Sequence, residues 1–319
     1  MKSNYRMTMT TTRTTTSMFP KDIIIHILSF ITEPIYTPIS VMKHILSKPF
    51  IDEIQTSMFG SLSRNTNSIY FLEQNPQLIN WFCMSSNPNA IHLLESNIDK
   101  INWSALSLNP NAIHLLEKNI KKIDWFNIVV NKNAYSIISQ NMDTVMSNTI
   151  YFKRMCLNQN PKIVTLIERY PEKICWSSLS SNPAAIHILE RNVTKISWYD
   201  ISENCNAIPF IEANLKLIDW ELLSLNTNAI HLIEKNLDKI NWALLSENPN
   251  AFNILTNNKE KINYFHLCSN TNPKIINFAG EYIKKYDIKY YMNKVLSNPV
   301  IFEKNDVLTY TKIDKIYFR

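Results

Sequence analysis

Glycine is nearly missing from this sequence: Gly60 and Gly280 are the only two in 319 residues. Loops that cradle phosphate or bind dinucleotides need glycine where the backbone must reach φ > 0 or approach a ligand closely. Neither a P-loop nor a G-x-G-x-x-G turn can be written here, which excludes most nucleotide-dependent enzyme classes. Cysteine is sparse and unpaired in pattern: Cys83, Cys156, Cys175, Cys205 and Cys268 are odd in number, widely spaced and contain no C-x-x-C. That argues against a disulfide framework or a zinc site and for free thiols in a reducing compartment. No apolar run approaches the roughly 18 residues of a membrane span; the best is the short stretch Ile23–Ile31. The opening also lacks the apolar core of a secretory signal.

Acid is absent from residues 1–21, which carry Lys2, Arg6, Arg13 and Lys21. Residues 22–258 hold 18 basic and 21 acidic side chains, a net −3, and residues 259–319 hold 11 and 6, a net +5. The formal charge of +6 is therefore confined to the ends of the chain. A nucleic-acid partner calls for a basic stripe along the body, so this pattern argues against one.

What the sequence has instead is a repeat. Aromatic anchors stand 22 residues apart at Phe59, Trp81, Trp103 and Trp125, and again at Trp176, Trp198, Trp220, Trp242 and Tyr264. Phe152 and Tyr290 extend the series through longer intervals, giving about eleven units of the form W-x-x-L-S-x-N-P-N-A-I-H-L-L-E-x-N-x-x-K-I-[ND]. A fixed period of this length is the signature of a stacked array. Before the anchor stands a capping residue: Asn80, Asn102, Asp124, Ser197, Asp219, Asn241 or Asn263. A first helix of under two turns follows. A recurring Asn then opens a second helix: Asn65, Asn87, Asn109, Asn131, Asn160, Asn182, Asn204, Asn226, Asn248, Asn272 and Asn298. Pro follows that Asn in seven units, a strong helix start. The second helix ends at an Asn, as at Asn97, Asn119, Asn192 and Asn236, a residue that tolerates the left-handed conformation of many helix ends.

A helical wheel puts Ala90, Ile91, Leu93 and Leu94 on one side and Pro88, His92 and Glu95 on the other. Ile98, Ile101, Trp103 and Leu106 complete the apolar set of one unit. One unit cannot fold alone and must stack on its neighbours. The pattern lacks the L-x-x-L-x-L-x-x-N strand of a leucine-rich repeat. The expected fold is therefore all-α, a solenoid of about eleven short helix–turn–helix units forming an open arc on the order of 100 Å. The chain divides into a Thr-rich tail expected to be disordered (1–17), a helical N-terminal segment (18–58) and the repeat array (59–319). Pro209, standing where His usually does, and the long interval around Asn131–Tyr151 mark expected irregularities.

Several recurring residues invite a chemical reading. His92, His114, His187 and His231 are each followed three residues on by Glu95, Glu117, Glu190 or Glu234, on one helix face. Stacked, they could form a metal-holding ladder; the simpler reading is a polar face with local hydrogen bonds, since H-E-x-x-H is absent. The Trp series reads as core packing rather than a ligand-stacking row. Lys100, Lys122, Lys173, Lys195, Lys239 and Lys261 read as solvated or touching helix C-termini. No catalytic constellation recurs, and no cofactor or metal is implied. The residues just after the anchor vary from unit to unit. Phe82, Phe126, Tyr199, Asp200 and Phe265 among them are the candidate partner-binding residues, because a solenoid keeps its packing positions and varies those that face a partner.

Two resemblances follow. The stretch Asn109–Trp125, N-P-N-A-I-H-L-L-E-K-N-I-K-K-I-D-W, resembles the short helical repeats of uncharacterised proteins from giant DNA viruses of amoebae. That resemblance covers about 80% of the chain and implies a viral protein acting in the host cytoplasm or carried in the virion, with no known activity. Phe19–Ile31 resembles the first helix of an F-box, with Phe19-Pro20 at the family's Leu-Pro and Ile24, Ile27 and Leu28 on its apolar face. An F-box implies docking to a Skp1-like adaptor through Pro20, Ile24, Ile27 and Leu28, with the repeats receiving substrate. The family's later Trp is missing, and the alternative is a helix capping the first repeat. The expected function is a non-enzymatic protein-interaction scaffold, with a ubiquitin-ligase adaptor as the alternative and a nucleic-acid-binding repeat protein as the second.

Overall fold

In the computed structural model the described residues are 36–38, 56–275, 278, 294 and 297–304. The chain forms two compact units: residues 37–303, which hold the repeats, and residues 1–36 with 304–319. The repeat unit is all-helical and built of short elements, as the periodicity implies. Typical first helices are Trp81–Ser85, Trp103–Ser107 and Trp220–Leu223; typical second helices are Ile91–Glu95, Ile113–Glu117 and Ile230–Glu234. One-turn 3₁₀ segments such as Ile98–Lys100 lead into the next anchor. Among the described residues the exceptions to helix are two three-residue strands, Tyr36–Pro38 and Phe302–Lys304, which pair with each other. Tyr36–Pro38 thus departs from the helix expected across 18–58.

The first helices start where the sequence says they should. Asn80, Asn102, Asp124, Ser197, Asp219, Asn241 and Asn263 all accept a hydrogen bond from a first-turn N–H. The Ser at the end of the first helix ties neighbours together. Ser85 Oγ donates to the Trp81 carbonyl at 2.7 Å and accepts from the Asn102 N–H at 3.0 Å. Ser107, Ser180, Ser202, Ser224 and Ser246 repeat that pair of bonds.

Contrary to expectation, the recurring Asn does not itself open the second α-helix of a typical unit: Asn87 caps the 3₁₀ turn Pro88–Ala90, and the helix begins only at Ile91, behind an Ala90 that offers no cap. It does more than cap that turn. Asn109 Oδ1 accepts from the Asn111 N–H at 3.0 Å, while Nδ2 donates to the carbonyls of Ser85 at 3.1 Å and Asn87 at 2.8 Å in the preceding unit. Its own carbonyl accepts from Asn131 Nδ2 in the following unit, at 3.0 Å. A second ladder runs beside the first, where Asn89, Asn111 and Asn133 each donate to a carbonyl one unit back. In two units the rung is not the Asn that precedes Pro. Asn158 and Asn270 are the buried rungs, bonded to the Val129 and Asn131 carbonyls and to those of Ser246 and Asn248. Asn160 and Asn272 instead belong to the second ladder and cap the next turn. The Pro in those units sits two residues later than in its neighbours, which misplaces a register set on Asn-Pro.

The ladder also returns to its start. Asn298 Nδ2 donates to the Cys268 and Asn270 carbonyls, and Asn65 Nδ2 donates to the Asn298 carbonyl at 2.8 Å. Asn67 Nδ2 donates to the Pro299 carbonyl at 3.0 Å, continuing the second ladder across the same junction. The bonds that join unit to unit therefore form a closed circuit of eleven rungs, and the open arc expected from stacking alone is corrected.

Around this polar circuit the core is Leu, Ile and Ala: Leu94, Leu106, Leu116, Ile128, Ile201, Ile233, Ala90 and Ala112 are fully buried. Gly60 stands just after the first anchor, where a Cβ would lie 3.2 Å from Cys83 Sγ, a tight contact that Cys83 would have to give way to by a few tenths of an ångström. The long interval after Trp125 holds an additional helix, Met142–Met146, and Phe152 lies buried inside Thr149–Met155. Pro209 breaks nothing. It occupies the first turn of Ile208–Ala213, where a missing N–H has no helical partner to lose. The Asn residues that end the second helices are not left-handed: no described non-glycine residue has positive φ. Asn97 has φ −139° and its Nδ2 donates back to the Leu93 carbonyl at 2.9 Å, which satisfies the helix end by side chain rather than by backbone reversal.

Asn109→Ala removes one cap and two inter-unit donors, and strands buried carbonyls. Its cost should be about 3 kcal/mol. Asn158→Ala should match it, whereas the part-exposed Asn160→Ala should cost about 1 kcal/mol. Urea unfolding of the three variants checks this; equal costs at 158 and 160 would contradict the assigned register.

Candidate functional site

The residue after the anchor lies exposed or half-buried in every described unit after the first, where Gly60 is buried. Phe82 is 54% exposed, Phe126 43% and Tyr199 59%, while Phe265 and Asp200 are half-buried. Short capped helices produce this row: the cap fixes the anchor at the helix start, and the next residue is turned away from the Leu core. Neighbouring units meet along it. The Arg154 guanidinium lies 3.7 Å from the Phe126 ring centroid and its Nε donates to the Phe126 carbonyl. Lys294 Nζ lies 5.3 Å from the Phe265 ring centroid. Ser104 donates to the Asp124 carboxylate, and Asn127 Nδ2 donates to the Ser104 carbonyl. Glu203, on the same edge, is pushed above the usual carboxylate range by partial burial and by the nearby Asp200 charge.

The Trp residues are not core. All seven are half-buried, and Lys100, Lys122, Lys195, Lys239 and Lys261 each place Nζ 4.4–4.8 Å from the ring centroid of the Trp nineteen residues earlier. These lysines are exposed, as Lys173 is, and are cation–π partners as well; Lys100 and Lys239 also donate to Asn97 and Asn236 at the preceding helix ends. A second exposed apolar row was missed by the wheel: Ile98, counted with the core, is 53% exposed, as are Ile120, Val193 and Leu215 to lesser degrees. Its signal is the position itself, directly after the Asn that ends the helix and inside a 3₁₀ turn, where helical periodicity no longer assigns a face.

The His–Glu pairs form between units. His92 Nε2 lies 2.7 Å from Glu73, and His114 and His231 lie 2.8 Å from Glu95 and Glu212. His187 is 3.6 Å from Glu168, which also binds Arg191. Ser136 takes the same place and donates to Glu117. Each His therefore meets the Glu of the preceding unit, not the one three residues along its own helix. Among the described residues no group of three or more His, Cys, Asp or Glu side chains is placed to hold a metal. No described helix is long and apolar enough to cross a membrane. The candidate adaptor-docking residues Pro20, Ile24, Ile27 and Leu28 lie outside the described residues. No protein-family model, curated protein or solved structure matches the chain.

All five cysteines are free. Burial pushes the Cys156 thiol up to about 11 and the Cys268 thiol to about 12, and raises Cys83 as well. Near neutral pH, iodoacetamide should label Cys175 and Cys205 in the native protein and reach Cys83, Cys156 and Cys268 only after unfolding. Unfolded thiols titrate at 9.0, so these groups leave stability unchanged below pH 9 and lower it as pH rises through about 11 and 12. Native labelling of Cys156 would contradict its placement.

Proposed function

We propose that the chain is a non-enzymatic protein-interaction scaffold, a viral protein acting on host or viral proteins. The viral setting and the host cytoplasm or virion as its location rest on the repeat resemblance. The observation that carries the function is the division of labour within each unit. The Asn, Ser, Leu and Ala positions repeat and are buried, while the position after the anchor varies and is exposed. A surface that presents Phe82, Phe126 and Tyr199 in line with Ser104 and Glu221 suits a protein partner, since aromatic side chains supply most binding energy at protein interfaces.

Capture from cells with the wild type, Phe82→Asp and Tyr199→Asp checks this. A partner lost from both variants, with melting temperature unchanged, is the expected result. A partner retained by both would contradict it. A Skp1-like adaptor captured by the wild type and lost on Ile24→Asp or Leu28→Asp would replace the simple scaffold with the ubiquitin-ligase adaptor.

A further inference from the structure

The exposed row carries its own template for an occupant. Phe126 and Phe265 both stand just after an anchor, and each has a cation at its ring. In both cases the cation comes from the same repeat position. Arg154 lies four residues before the buried rung Asn158, and Lys294 lies four before Asn298. The same register puts Leu222, four residues before Asn226, at that place for Tyr199. Tyr199 is the most exposed aromatic of the row, and among the described residues no cation lies over its ring.

The units next to Tyr199 carry acid at the matching positions. Across units 176–247, the first, second and fifth residues after each anchor include Asp200, Glu203, Glu221 and Glu247, and no Lys or Arg. Glu247 is paired with His266 and Lys294. Ser197 donates one hydrogen bond to Asp200, whose carboxylate takes no other among the described residues. Glu203 and Glu221 are exposed, and Glu221 accepts a long hydrogen bond from Asn241 Nδ2 at 3.4 Å.

Resting on the scaffold reading, we infer that the Tyr199 face takes a lysine or arginine side chain of a partner protein, seated on the ring and paired with Asp200, Glu203 and Glu221. The partner's cation occupies the place that Arg154 fills at Phe126. Cation–π contact and carboxylate pairing both favour a protonated side chain and reject a neutral one of the same length.

Fluorescence anisotropy on the full-length chain tests this, with a labelled Gly/Ser peptide bearing several lysines and its Nε-acetylated counterpart as probes. The lysine peptide should bind, and acetylation should weaken it about tenfold or more. Tyr199→Leu and Glu203→Gln should each weaken it about fivefold, with melting temperature unchanged. Leu222→Arg should place a guanidinium over Tyr199, as Arg154 stands over Phe126, and abolish binding. Failure of the lysine peptide to bind, equal binding of the acetylated peptide, or unchanged binding by Leu222→Arg would each overturn the inference. Binding that emerges only when Lys2, Arg6, Arg13 and Lys21 are all changed to Gln would also overturn it, by giving the site to the chain's own N-terminus. If the peptide arm fails while Phe82→Asp still loses a captured partner, the scaffold reading stands without this site.

Discussion

A buried asparagine amide bridging two units is the interaction on which the rest of this structure depends. The loop between the two helices of a unit leaves backbone carbonyls without helical partners, and burying them unpaired is costly. Asn is the side chain that solves this at short reach. Its Oδ1 caps the turn that leads into the second helix, and its two N–H bonds hold two carbonyls of the unit before, as at Asn131 with Ser107 and Asn109. Asp would offer no donors at all. Because every rung donates backward and all but Asn182 accept from the next, the ladder has a direction, and that direction lets it close. Asn65 finds at Asn298 the carbonyl it would otherwise lack. No buried side-chain nitrogen or oxygen among the described residues is left without a partner.

Closure follows from a mismatch in spacing. One amide spans less than the roughly 8–10 Å at which helices pack. Units tied closely at the Asn ladder and held apart at their helices must turn relative to one another, with the ladder on the inside of the bend. The same geometry explains why a repeat protein can dispense with polar caps at its ends, which open solenoids require. The first and last units serve as each other's neighbours.

The period, the starts of the first helices and the all-helical class were legible because each is local. A cap needs only one polar side chain before an anchor, and all seven such residues perform that role. The register at Asn158 and Asn270 was not legible, because Pro marks a permitted position and not a required one; burial of the amide distinguishes the rung. Ile98 defeated the wheel because it lies in a 3₁₀ turn outside the helix. The Trp rings were read as core because large aromatics usually are, yet all seven are half-buried, and a lysine ammonium lies over five of them, Trp81, Trp103, Trp176, Trp220 and Trp242. Closure could not be seen at all. It joins residues 65 and 298, and no periodicity carries information about how far each unit turns. Phe82, Phe126 and Tyr199 were found for a sound reason: they vary where the scaffold does not.

The scaffold thus separates its tasks. Asn and Ser hold unit to unit, Leu, Ile and Ala fill the interior, and the residues just after the anchors are free to change without disturbing either. A closed circuit adds that no unit is terminal, so local opening has no preferred end from which to begin. Native-state hydrogen exchange tests this directly. The account predicts that amides of Leu72 and Asn75, in the first unit, are as strongly protected as those of Leu116 and Ile233 in the middle of the array. Protection that falls away progressively toward the first unit would show an open array and contradict the closed ladder.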